Sequence, residues 1–210
     1  MDPDIDINQI KKYFGEKLDN FGATPRGADW NSEDSQLIRF EQLFQICDPG
    51  ANFSIIDYGC GYGALVNFLV QKGCQFIYSG FDILDDMVVK AKGIHTDRPY
   101  CTFTSQESGL VPADYAVESG IFNIRLEYSY DEWTGYVIQT LQRMNSLSLK
   151  GFAFNMLTAY SDPPYMKPHL YYADPCYYFD YCKRHFSRNV VLLHDYNLYD
   201  FTILVRKQPS

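Results

Sequence analysis

Residues 53–64 read FSIIDYGCGYGA: an apolar run, an aspartate, then three glycines alternating with other residues. Inside a strand or helix a glycine costs roughly 0.5–1 kcal/mol relative to alanine. Three so close together mark a turn whose backbone takes unusual dihedrals or lets something approach it closely. The run before them, NFSIIDY, is continuously apolar, as in a strand covered on both faces of a parallel sheet. The segment after them, GALVNFLVQKG, has helical spacing and stops at Gly73. Strand, glycine turn and helix in that order direct the chain towards an alternating, parallel α/β architecture.

The remaining chain keeps the alternation. CQFIYSGFDI predicts a second strand and LDDMVVKAKG a helix closed by Gly93. YCTFTS and ADYAVESGIF predict strands three and four, YDEWTGYVIQTLQRMNSLS a long helix, and KGFAFNMLTAY a fifth strand. A Pro- and Tyr-rich stretch, SDPPYMKPHLYYADP, is too irregular for a regular element, and PCYYFDYCKRHF is a late helix. NVVLLHDY and DFTILVRK, with only Asn197 to Tyr199 between them, must form a hairpin, so the last strand runs antiparallel. Ahead of all this, residues 5–21 have helical spacing and 22–30 form a Gly/Pro link. Asn31 or Ser32 then caps a second helix with acids in its first turn.

Charge and cysteine content narrow the function classes. The net charge is −8 and no short window clusters Lys or Arg. A protein that grips phosphate backbones draws most of its affinity from such a stripe, so nucleic acid is not an expected partner. No apolar run approaches the ~20 residues that span a bilayer. The start, MDPDIDINQ, lacks the basic and apolar parts of a signal peptide, and a cytoplasmic location is expected. The six cysteines form no CxxC pair and no Cys/His set with zinc spacing, so reduced thiols and no metal site are expected.

In doubly wound sheets, ligands sit beyond the carboxyl ends of the strands, where an acidic residue on the second strand can accept hydrogen bonds from ribose hydroxyls. Asp82 stands there, roughly twenty residues after the glycines. Gly59, Gly61 and Ala64 also satisfy the GxGxxA dinucleotide pattern, which leaves an NAD(P)-dependent oxidoreductase open. Against it stand Asp57 just before the turn, a further glycine at 63, some 50 residues of preceding helix and the closing hairpin; no YxxxK pair is present.

The string DYGCGYG, with Asp82 and the terminal hairpin, resembles class I S-adenosylmethionine-dependent methyltransferases over about residues 32–207. The resemblance implies an α/β fold: a doubly wound, Rossmann-like, seven-stranded sheet with the last strand antiparallel, plus an N-terminal helical arm. Residues 1–48 would form the arm or lid and 49–210 the methyltransferase domain, with an insertion after strand five at about 160–174. It implies S-adenosylmethionine as cofactor, cradled by backbone around Gly59, Cys60, Gly61 and Gly63. Asp57 would hold the turn and reach the cofactor's amino group, directly or through water. Asp82 would bind the ribose, Ile83 and Met87 the adenine, and one of Ser105, Gln106 and Glu107 the adenine amine, with Gln106 preferred. Backbone at Glu118, Ser119 and Gly120 would face the methionine part, and Arg39 would meet its carboxylate.

The acceptor is expected to be a small molecule, methylated on oxygen or nitrogen between arm and insertion. His169, in the insertion, is the candidate base, while His95 and His185 read as solvated helix ends. Tyr160, Tyr165, Tyr171 and Tyr172 either wall the acceptor site or pack the insertion onto the core. DPPY at 162–165 matches the base-holding motif of DNA adenine methyltransferases. It follows strand five rather than strand four, and reads as chance similarity in a Pro/Tyr-rich loop. A non-catalytic domain that retains the cofactor cleft would show the same glycines and Asp82.

Overall fold

The computed structural model describes residues 5–208, so the first four residues of the expected arm and the last two of the chain lie outside it. The elements follow in the order α1 (Ile7–Phe21), α2 (Glu33–Phe44), β1 (Phe53–Tyr58), α3 (Ala64–Gln71), β2 (Phe76–Phe81), α4 (Asp85–Ile94) and β3 (Cys101–Thr104). They continue as β4 (Ala113–Ser119), α5 (Tyr130–Leu147), β5 (Ser148–Leu157), α6 (Pro175–His185), β6 (Asn189–Leu193) and β7 (Asp200–Arg206). One seven-stranded sheet results, in the order β3-β2-β1-β4-β5-β7-β6. β7 runs antiparallel to both β5 and β6, as the hairpin required.

Helix ends are set by local chemistry. Ser32 caps α2 by accepting from Ser35 N, and Asp6 caps α1 by accepting from Asn8 N. Ser129 and Glu132 form a reciprocal capping box at α5, while Asp174 followed by Pro175 opens α6. Two boundaries differ from the sequence reading. β4 ends at Ser119 rather than Phe122, because Gly120 takes φ +96° and turns the chain. β6 stops at Leu193, leaving a six-residue link in place of three, with Asn197 at φ 57° within it.

Each face of the sheet carries its own core. Leu65, Val66, Phe68 and Leu69 of α3 pack with Val88 and Ala91 of α4 and with Phe40 and Leu43 of α2 on one face. Trp133, Val137, Leu141 and Met144 of α5 pack with Tyr178 and Cys182 of α6 on the other. Trp133 is fully buried, and its indole N–H donates to Phe122 O at 2.7 Å, which satisfies the one polar atom that burial would orphan. The stretch expected to be an arm therefore divides. α2 belongs to the sheet's packing, whereas α1 reaches the carboxyl end of the strands, where Ile10 joins the core beside α5. All six cysteines are free thiols, and no described helix is long and apolar enough to cross a membrane.

Candidate functional site

Chain order reverses between β1 and β4, and a cleft opens over their carboxyl ends. Its volume is about 540 Å³, and its floor is the turn Asp57 to Gly61 together with Asp82 and Ile83. Ser119 and Gly120 supply one wall, Met87 another, and Ile7, Ile10 and Phe14 of α1 a cover.

The glycine turn is rigidly tied. Gly59 N and Cys60 N both donate to Phe81 O, at 2.7 and 2.9 Å, and Gly61 N donates to Asp82 Oδ2 at 2.8 Å. The three N–H groups are thus engaged within the fold, and what the turn offers is room. Gly61 has φ +52°, and a Cβ there would meet only the Ala28 methyl at 4.0 Å. It is the bare backbone that the sequence implied, facing open cleft. Asp82 Oδ1 accepts from Leu84 N at 2.9 Å, so one carboxylate fastens both the glycine turn and the start of α4. Burial pushes its carboxyl above the ordinary range, against the pull of those two amides.

Asp57 lines the same floor, buried at 5% exposure, and accepts from Tyr78 OH at 2.7 Å. Burial pushes its carboxyl up to about 7; the Tyr78 hydrogen bond opposes this and the Asp82 charge adds to it. A carboxyl whose folded pKa exceeds its unfolded value of ~3.9 makes the folded state bind more protons between the two. Ligand-free stability from this group therefore falls as pH rises from about 4 to about 7. In urea titrations at pH 5 and pH 8, Asp57→Asn is expected to remove at least ~1 kcal/mol of that loss. An unchanged pH slope in the variant would mean that Asp57 titrates normally.

Several expected residues lie elsewhere. Gly63 is not in the cleft wall: it caps α3 at φ +81°, and a Cβ there would strike His95 and Phe103. Gln106 is exposed and outside the cleft, while its neighbour Glu107 lines it and accepts from Tyr58 OH at 2.6 Å and Arg143 Nε at 3.0 Å. The short 3₁₀ turn at Glu107–Gly109 puts 107, not 106, on the inner side. Arg39 does not reach the cleft. It is buried, donates to both oxygens of Asp200 at 3.0 and 2.5 Å, and stacks its guanidinium 4.6 Å from the Trp30 ring. Glu118 turns away from the cleft and is fully buried, with Oε1 accepting from Ile121 N at 2.7 Å and Oε2 unpartnered. Burial pushes its carboxyl well above the usual range, against the pull of the backbone amides of Ile121 and Phe122.

His95 departs from its reading as a solvated helix end. It is 4% exposed, lies 3.1 Å from Gly63 O, stacks on Phe103 and is held below its ordinary pKa by burial first and by Arg98 second. Sequence reasoning missed the inward roles of Ala28, Tyr58 and Tyr136 in the cleft, and placed Glu107 behind Gln106. Gln36, which accepts from Tyr62 OH at 3.2 Å, lines the cleft as well.

A second cavity of about 1470 Å³ adjoins the first. Asp29, Trp30, Asn123 and Ile124 belong to the walls of both, so the two spaces meet along them. His169 lies in this second wall, not in the cleft. Among the insertion's tyrosines, Tyr171 and Tyr172 are buried, and the Tyr171 hydroxyl meets Tyr178 OH at 2.8 Å, so Tyr171 serves packing. Tyr165, at the end of DPPY, follows β5 in the chain and lines this second cavity.

No protein-family model matches the chain. A Mycobacterium tuberculosis (strain ATCC 25618 / H37Rv) protein named "Putative methyltransferase Rv1506c" is 49% identical over 166 residues, covering 79% of this chain and 98% of that one. Among solved structures, magnesium protoporphyrin IX methyltransferase (ChlM) from Synechocystis PCC 6803, with bound SAH, aligns with a TM-score of 0.65 at 16% identity, over 96% of this chain and 100% of that one. The Burkholderia thailandensis 1,6-didemethyltoxoflavin-N1-methyltransferase aligns at 0.66 and 16% identity, over 97% and 89%; it was solved with 1,6-didemethyltoxoflavin and S-adenosylhomocysteine. At this identity the structural likeness concerns the fold.

Proposed function

The chain belongs to the class I S-adenosylmethionine-dependent methyltransferases, and on that premise we propose that it moves the cofactor's methyl group to an oxygen or nitrogen of a small-molecule acceptor. The observation that carries this reading is the junction of Gly61 and Asp82. An open, side-chain-free backbone position is hydrogen-bonded to a carboxylate at the end of the neighbouring strand. Such a junction suits a ribose beside a chain that needs close approach to backbone. Bound S-adenosylmethionine supplies an electrophilic methyl on a sulfonium leaving group.

The protein's own contribution is alignment and exclusion of water. Asp82 accepts from the ribose hydroxyls. Ile83 and Met87 offer apolar surface to the adenine, and Glu107, already oriented by Tyr58 and Arg143, takes the role expected of Gln106. Asp57, when ionised, attracts the cofactor's ammonium. Ser119 and Gly120 border the methionine end, where Trp30 packs against Gly120 Cα. α1 covers the cleft with Ile7, Ile10 and Phe14, so the closing part of the arm ends near Trp30 rather than at residue 48. Where the acceptor is a hydroxyl, His169 is the base placed in the adjoining wall.

A thermal shift with S-adenosylhomocysteine, with NADH and NADPH in parallel, tests the reading. A ligand at a hundred times its Kd adds about 2.7 kcal/mol. For a chain of this size that is a rise of roughly 5–10 °C. A rise with the homocysteine nucleoside alone supports the proposal; a rise only with a nicotinamide nucleotide replaces it by an oxidoreductase.

A further inference from the structure

The second cavity has a composition that selects among acceptors. Its volume of about 1470 Å³ exceeds the ~300–1,000 Å³ typical of small-ligand pockets. Five aromatic rings line it: Tyr13, Trp30, Tyr165, Tyr172 and Tyr199. Two of them stand largely in the open, Tyr165 at 69% and Tyr199 at 43% exposure, with the Tyr199 hydroxyl donating to Asp162. Their centroids are 6.2 Å apart with planes tilted by 34°, which forms a shallow aromatic shelf facing water.

The same wall carries the side-chain amides of Gln9, Asn31, Asn123 and Asn197, whereas the hydroxyls of Ser35 and Ser161 there donate to Ser32 O and Thr158 O. Asn123 accepts from Leu157 N at 2.9 Å through its side-chain oxygen, which leaves its NH₂ group as the donor at the junction with the cofactor cleft. The charges cancel. Lys17 is paired with Asp29 at 2.6 Å and Arg39 with Asp200, while Lys12 and Lys167 are matched in number by Glu16 and Glu127.

An anionic or cationic acceptor would call for an excess of one sign, and a purely apolar one for an apolar wall. Flat aromatic shelves together with neutral donors and acceptors suit a different ligand. It would have apolar C–H faces, a rim of hydroxyls, no charge and more than one ring. We propose that the acceptor is a sugar-bearing molecule longer than a monosaccharide, seated in this cavity with one hydroxyl at the Trp30–Asn123 junction. The hydroxyl oxygen bonds to the methyl carbon as the carbon–sulfur bond breaks, the electron pair stays on sulfur, and the proton passes to the His169 imidazole. This deepens the methyltransferase reading and rests on it.

The test uses the S-adenosylhomocysteine-saturated protein with a mixture of methyl glycosides of mono-, di- and trisaccharides, and catechol and benzylamine as controls. Binding is read by saturation-transfer NMR, and chemistry by label transferred from methyl-labelled S-adenosylmethionine. The proposal expects di- and trisaccharides to bind and to carry the label on oxygen. It also expects Tyr165→Ala/Tyr199→Ala to weaken saccharide binding about tenfold with S-adenosylhomocysteine affinity unchanged. If S-adenosylhomocysteine binds but no saccharide binds or is labelled, or the double variant binds saccharide as well as the parent, the sugar proposal is overturned and the cofactor reading stands. If S-adenosylhomocysteine itself does not bind, both fall.

Discussion

Asp82→Ala is expected to weaken S-adenosylhomocysteine binding at least a hundredfold. Two ribose hydroxyls donating to one carboxylate are charge-assisted hydrogen bonds, each worth about 1.5–3 kcal/mol. Losing ~3 kcal/mol already corresponds to more than two decades in Kd. A second loss comes with it, because Gly61 N and Leu84 N give up their acceptor. That second loss appears in the ligand-free protein as a drop of a few degrees in its midpoint. Asp82→Asn separates the two: its remaining oxygen can still accept from Leu84 N, so stability recovers more than affinity does. Isothermal titration of the parent and both variants makes the comparison. An Asp82→Ala affinity within threefold of the parent would remove the ribose role.

Arg39→Ala is expected to cost about 3–5 kcal/mol of stability, the usual result when one partner of a buried ion pair is deleted and the other stays behind. Asp200 is 1% exposed, and its compensating interactions come first from Arg39, with His194 adding a smaller one. At roughly 2–4 °C per kcal/mol for a chain of this size, the midpoint should fall by about 10 °C. The double variant Arg39→Met/Asp200→Leu, which removes both charges, should regain most of the loss. Its S-adenosylhomocysteine affinity should stay within about threefold of the parent, since neither side chain lines the cofactor cleft. A variant that is fully stable but binds the nucleoside a hundredfold more weakly would restore Arg39 as the partner of the cofactor carboxylate.

Arg39 also shows why parts of the site were hidden in the sequence. Asp200 lies 161 residues away, and nothing near either residue announces the pair. An arginine ahead of the first strand fits a ligand carboxylate and a buried aspartate equally well until β7 is placed beside α2. Gln106 and Glu107 differ by a single step in a short turn, and the direction of that turn is set by packing around α5, from which Arg143 reaches Glu107. His95 looked like a polar helix end. Its burial arises because α4 closes against the α3 N-terminus, where its ring meets Gly63.

By itself the sequence determined the alternation of strands and helices, the antiparallel close of the sheet, the glycine turn and the acid at the end of β2. All of these depend on neighbouring residues: backbone freedom at Gly61, apolar runs in β1, capping by Ser32 and Ser129, and a short link that permits only a hairpin. Only the tertiary structure decided which charged groups face the ligand and which face each other. It seated Arg39 on Asp200, turned Glu118 into the interior, and set Trp30 between the cleft and the second cavity. Those choices follow from desolvation and packing between segments far apart in sequence, where a buried charge takes the nearest partner the fold provides.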